Sequence, residues 1–146
     1  MSPEYCPLPS RPTAAETAAV DRMLKASRIA VVGLSDDPSR PSHGIASYLM
    51  AHGYEVIGVN PNHEKVLGRT CYARLAVVPG IVDVVNVFRR SEFCADVTRE
   101  AIAAGAKGVW LQSGIRNDAA RALAEEAGID FVQDRCLKVD HMFRQR

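Results

Sequence analysis

The chain has 146 residues, enough for one hydrophobic core and short of two ordinary domains. Hydrophobic residues make up 47% and charged residues 24%, with a formal net charge of +1. That balance gives no electrostatic case for a nucleic acid or an anionic membrane surface as partner.

Residues 1–12 carry four prolines and read as an irregular N-terminal arm, leaving 13–146 as a single domain. The arm lacks a basic stretch followed by an apolar one, so it is not a secretory signal. No apolar run reaches the roughly 18 residues that a membrane helix needs. We therefore expect a cytoplasmic protein with no membrane partner. Cys6, Cys71, Cys94 and Cys136 include no C-x-x-C pair. This argues against a disulfide framework or a structural zinc site and for a reducing compartment.

Thr13 is placed to cap a helix running to about residue 26, with Glu16 completing a capping box. Residues 28–33 form an apolar strand and 53–60 a second. Between them, 42–52 has a helical pattern with Ile45 and Leu49 facing inward, ended by Gly53. Together they make a βαβ unit. Asn60 to His63 is a turn by composition. Residues 66–75 lack a clear period and are read as holding one short helical turn. Residues 82–88 are a third strand, followed by a helix that Ser91 would cap and that ends near Gly105. Residues 108–112 are a fourth strand, 117–127 a helix ended by Gly128, 129–132 a fifth strand, and 137–144 a last short helix.

Strands alternating with helical patterns predict an α/β fold: a Rossmann-like open parallel sheet of about five strands with helices on both faces. Right-handed crossovers lead us to expect the order 3-2-1-4-5. The order would reverse beside strand one and open a crevice at the carboxyl ends of the strands.

Four strand ends gather at that crevice. They carry Gly33–Leu34–Ser35, Asn60–Pro61, Phe88–Arg89, and Gln112 followed by Gly114, Ile115 and Arg116. A phosphate ligand suits them. Gly33 permits close backbone approach, N–H groups after it and at the start of the next helix can face an anion, and Arg40, Arg89 and Arg116 supply forked donors. Structural roles compete at each position. Gly33 also suits a plain tight turn, Ser35 and Ser42 also suit capping, and Trp110 reads as core. The four histidines are scattered and no metal-ligand spacing appears, so no metal is expected. The loop after Gly33 is not G-x-G-x-x-G, which weakens a nicotinamide dinucleotide reading; a Walker sequence and a G-x-S-x-G elbow are also absent. Asn60, rather than an acidic residue, stands at the end of the second strand.

Taken in order, the set Gly33–Leu34–Ser35, Arg40–Pro41–Ser42, Gly53–Tyr54, Val59–Asn60–Pro61, Gly68, Val82–Asp83–Val84–Val85, Phe88–Arg89, Trp110–Leu111–Gln112, Gly114–Ile115 and Asp134–Arg135–Cys136 resembles the family of small stand-alone CoA-binding proteins. These are similar to the N-terminal CoA-binding domain of the succinyl-CoA synthetase alpha chain. The resemblance covers about residue 20 to the end. It implies a Rossmann-like domain that binds coenzyme A or an acyl-CoA without a reaction of its own. It would place the phosphates near Gly33, Ser35 and Arg40, the nucleotide near Asn60 and Pro61, further contacts at Phe88 and Arg89, and pantetheine toward residues 112–115. The phosphorylated histidine of the synthetase belongs to a later domain, so its chemistry is not implied. Two departures stand out: Gly58 where the family pattern often has proline, and His43 where it often has tyrosine. Cys136, just beyond the fifth strand, raises the question of a mixed disulfide with the CoA thiol.

Two alternatives stay open at this point. One is an NAD(P)- or nucleotide-dependent enzyme on the same fold. The other is a protein-binding regulator that has lost the ligand, with a protein partner or a second copy of the chain on its surface.

Overall fold

The computed structural model describes residues 13–144. The expected arm over 1–12 lies outside the described residues. Helix α1 (Ala14–Leu24) begins at the expected cap: Thr13 Oγ1 accepts from the Glu16 N–H at 3.1 Å. The Glu16 carboxylate instead meets Arg135 Nη1 at 3.2 Å. The βαβ unit follows as β1 (Arg28–Val32), α2 (Pro41–Ala51) and β2 (Glu55–Val59). Pro41 opens α2 because its fixed φ fits the first helical turn, where no N–H partner is needed.

The stretch read as one helical turn is mostly strand. β3 (Lys65–Val66) and β4 (Arg69–Tyr72) form a tight antiparallel hairpin, and only then does a 3₁₀ turn come at Leu75–Val77. The rest of the chain runs β5 (Val84–Val87), a 3₁₀ turn at Ser91–Phe93, α3 (Cys94–Ala103), β6 (Gly108–Leu111), α4 (Asp118–Ala127), β7 (Asp130–Val132) and α5 (Leu137–Arg144). Ser91 does not cap α3; its hydroxyl accepts from the Arg116 N–H at 3.2 Å. Asn117 caps α4, its Oδ1 accepting from the Ala120 N–H at 2.8 Å. Among the described residues no helix is long and apolar enough to cross a membrane.

The sheet has seven strands in the order β3-β4-β2-β1-β5-β6-β7, all parallel except the β3–β4 pair. The expected order 3-2-1-4-5 is therefore corrected. β4 pairs with β2 through Gly58–Cys71 and Val59–Tyr72 and occupies the place assigned to residues 82–88. That segment, β5, crosses to the other side of β1, with Ile29 beside Val84 and Val32 beside Val87. The reversal at β1 persists, and with it a crevice at the carboxyl ends of β1 and β5.

Alternate side chains of each strand feed two cores. On one face Val20, Met23, Ile45, Leu49 and Leu137 from α1, α2 and α5 cover Ile29, Val31, Val84, Trp110 and Val132. On the other, Cys94, Val97, Ala101 and Ala120 from α3 and α4 cover Ala30, Val32, Val85, Val87 and Leu111. Asp83 braces the amino edge, accepting from the N–H groups of Ser27 at 3.1 Å and Arg28 at 2.9 Å. These bonds, Arg28's first, hold its carboxyl below the usual carboxylate range.

Candidate functional site

A cleft of about 610 Å³ opens at the carboxyl edge, and Gly33, Asn60, Pro61, Arg74, Phe88 and Arg89 are among the residues lining it. Five of the residues singled out from the sequence thus meet there. Gly33 adopts φ +89°, and a Cβ on it would stand 2.7 Å from the Phe88 carbonyl oxygen. Its N–H donates to Val59 O at 2.8 Å. Gly33 is therefore the point at which β1, β2 and β5 converge, and no larger residue lets them close.

Asn60 is consumed by the same convergence. Its Nδ2 donates to Leu34 O at 3.0 Å and its Oδ1 accepts from the Asn62 N–H at 2.9 Å. It fixes the cleft floor by tying the loop after β1 to the end of β2. Phe88 is half-buried against the first core. Arg89 is exposed, with its Cζ 4.5 Å from the centroid of the Phe93 ring. Such stacking orients a guanidinium while leaving its N–H donors available.

The loop before α2 is knotted by its own hydrogen bonds. The Ser35 N–H donates to Ser42 Oγ at 3.0 Å, the Asp37 N–H to Ser35 Oγ at 3.0 Å, and the Ser39 N–H and hydroxyl to Asp37 Oδ1 at 2.9 and 2.8 Å. The Ser39 N–H, then its hydroxyl, hold the Asp37 carboxyl below its ordinary value. The N–H groups of Ser35, Asp37 and Ser39 are thus spent on the loop itself rather than aimed at an anion. Leu34 and Ser42 are buried, and Arg40 is exposed at the N-cap of α2.

The remaining residues lie outside the cleft lining. Gln112 is buried, its Oε1 accepting from Asn86 Nδ2 at 3.3 Å and from the Leu137 N–H at 3.4 Å. Gly114 donates its N–H to Asp134 Oδ1 at 2.7 Å, and Ile115 packs on the second core. Arg116 stands 3.6 Å from Asp134. A second cleft of about 340 Å³ opens at the amino edge, where Arg22 pairs with Asp130 at 2.7 Å and Lys107 with Asp83 at 3.8 Å. Its charges largely cancel in pairs. Among the described residues no group of three or more His, Cys, Asp or Glu is placed to hold a metal ion.

A family profile described as a CoA binding domain matches residues 27–142. The chain belongs to this family. An uncharacterized protein of Bacillus subtilis (strain 168), YneT, is 40% identical over 119 residues, covering 82% of this chain and 88% of that one. A hypothetical protein from Pyrococcus horikoshii OT3 superposes with a TM-score of 0.87 at 32% identity, covering 95% of this chain and all of the other. A dinucleotide-forming acetyl-coenzyme A synthetase 1 of Ca. Korarchaeum cryptofilum, solved with phosphate and ADP, is similar at a TM-score of 0.66 and 28% identity. That likeness covers 79% of this chain but only 27% of the synthetase.

In this CoA-binding fold the Asp134–Arg135–Cys136 motif is a brace. Arg135, 3% exposed, donates Nε to Asp140 Oδ2 at 2.9 Å and Nη2 to Asp140 Oδ1 at 2.7 Å. Its carbonyl accepts from Trp110 Nε1 at 2.8 Å, so α5, α1 and the sheet are locked together. Cys136 is buried and disulfide-bonded, so it is not a free thiol at the crevice. Cys71 and Cys94 are free, and burial pushes both thiols up. The departure at Gly58 has a local cause: a Cβ there would stand 2.8 Å from Leu34 Cδ2 and 3.2 Å from Cys71 Sγ.

Two charged cleft residues escaped the sequence reading, Arg74 and Glu100. Arg74 follows β4 closely, and recognising that strand would have placed it among the strand-end residues. Glu100 lies on the exposed side of α3 with no sequence signal of its own.

Proposed function

We propose that this protein is a binding module for CoA or an acyl-CoA and performs no reaction by itself, with the nucleotide in the carboxyl-edge cleft. The observation that carries the reading is the coincidence of two independent facts. The family match spans residues 27–142, and the larger cleft opens at the point where the strand order reverses. The donor set fits an anionic ligand: Arg89 is exposed and oriented by Phe93, and Arg40 stands at the mouth of α2. In this reading Gly33, Ser35 and Arg40 border the pyrophosphate, Asn60 and Pro61 border the nucleoside, Phe88 and Arg89 add contacts beside Gly33, and pantetheine leaves toward Gly114 and Ile115.

Native mass spectrometry of the protein titrated with CoA, NAD and ATP tests it. The expected result is a CoA complex at the lowest ligand concentration. NAD or ATP binding tightly while CoA does not would overturn it. Arg89→Ala should lose charge-assisted hydrogen bonds worth about 1.5–3 kcal/mol, roughly a ten- to hundredfold drop in affinity.

A further inference from the structure

We infer that the cleft reads a second anionic group on its nucleotide, the 3′-phosphate of CoA, through Arg74. This rests on the reading of the cleft as the CoA site.

Twelve arginines lie among the described residues, and seven of them form ion pairs there. The other five are Arg40, Arg69, Arg74, Arg89 and Arg121. Of these, Arg74 and Arg89 line the cleft and Arg40 stands at the start of α2. The guanidiniums without a carboxylate thus concentrate at the carboxyl edge. In the amino-edge cleft, by contrast, the lining guanidinium of Arg22 is already paired, and of the two lysines Lys107 is paired while Lys25 forms no ion pair among the described residues.

Arg74 and Arg89 do not flank the same point. The order β4-β2-β1-β5 puts them beyond the ends of β4 and β5. At about 4.8 Å per strand, those ends are three spacings, roughly 14 Å, apart. A single phosphate group answers one wall. A nucleotide with a pyrophosphate at one ribose position and a phosphomonoester at another answers both. Arg89 follows Phe88, whose carbonyl packs on Gly33, on the pyrophosphate side. Arg74 follows the end of β4 by two residues, next to the end of β2, where the Asn60 N–H donates to Tyr72 O at 2.8 Å, on the nucleoside side. A phosphomonoester carries between one and two negative charges near neutral pH and accepts a forked pair of N–H bonds from one guanidinium. Glu100 in the same lining offsets one of the two positive charges. Each phosphate contact therefore matters to the balance.

The test is calorimetric titration with CoA and with dephospho-CoA, which lacks only the 3′-phosphate, on the wild type, Arg74→Ala, Arg74→Lys and Glu100→Gln. The wild type should prefer CoA by about tenfold or more. Arg74→Ala should bring that ratio near one by weakening CoA alone, and its unchanged grip on dephospho-CoA then certifies its fold. Arg74→Lys should keep an intermediate ratio, and Glu100→Gln should tighten CoA more than dephospho-CoA. A wild-type ratio near one, or equal weakening of both ligands in Arg74→Ala, overturns the role of Arg74 and leaves the CoA site standing. A wild type that binds neither ligand overturns the role together with the reading beneath it.

Discussion

Replacing Gly33 by alanine should be among the costliest single-methyl changes in this protein. At φ +89° an L-residue pays a backbone strain of roughly 1–2 kcal/mol. The added Cβ would also stand 2.7 Å from the Phe88 carbonyl oxygen, a backbone atom just past β5 that cannot swing aside as a side chain would. Forcing that contact open adds about 1–3 kcal/mol, the usual range for overpacking. The total, roughly 2–5 kcal/mol, is a large share of the 5–15 kcal/mol that typically holds a domain of this size. Gly53→Ala is the control, because Gly53 has φ +90° but nothing within 4 Å of an added methyl, so only the strain applies. Urea unfolding at 25 °C, with the m-value checked for constancy, measures both. Equal losses in the two variants would refute the claim that strand convergence, rather than backbone conformation alone, demands glycine at position 33.

Asp140→Asn should destabilise by about 3–5 kcal/mol, because it removes the buried carboxylate that pairs with the buried Arg135 guanidinium at 2.7 Å; a loss below about 1 kcal/mol in urea would show that the pair is better solvated than its burial indicates. Acidification should weaken the fold through His141, which lies 2.6 Å from Tyr48 Oη and whose proton affinity is lowered by burial and then by the charge of His52. Its folded pKa lies below the ordinary value, so the unfolded chain binds the extra proton first. Stability is then full above that ordinary value, near pH 6.5, and declines as pH falls below it. His141→Gln should flatten the decline between pH 7 and 5, and an unchanged slope would assign it elsewhere. Gly58→Ala should cost about 1–3 kcal/mol by crowding Leu34 and Cys71, read as a lower urea midpoint; an unchanged midpoint would mean that these two side chains yield freely.

The parts of the fold with a strong period were legible. β1, α2, β2, β5 and β6 are apolar runs or amphipathic stretches, and each falls along the chain where its pattern put it, although β5 takes another place in the sheet. β4 was not legible, because Arg69, Thr70 and Tyr72 are polar or only partly buried and Cys71 alone turns fully to the core. That one missed strand produced the wrong order and hid Arg74. The strand-end logic found Gly33, Asn60, Pro61, Phe88 and Arg89 because position along a strand is a backbone property. It did not distinguish a residue facing the cleft from one turned inward. Gln112 also ends a strand, yet its amide holds Asn86 and α5. Side-chain direction there depends on contacts with residues 25 and 26 positions away, which no local pattern encodes.

The central claim is that CoA occupies the carboxyl-edge cleft of this sheet. Backbone amide chemical shifts of the isotope-labelled protein, followed while CoA is added, test it most directly. The account predicts saturable shifts at Gly33, Asn60, Asn62, Arg74, Phe88 and Arg89, with Ser27, Lys107 and Gly108 at the amino edge unmoved. Shifts confined to the amino edge, or none at saturating CoA, would contradict it.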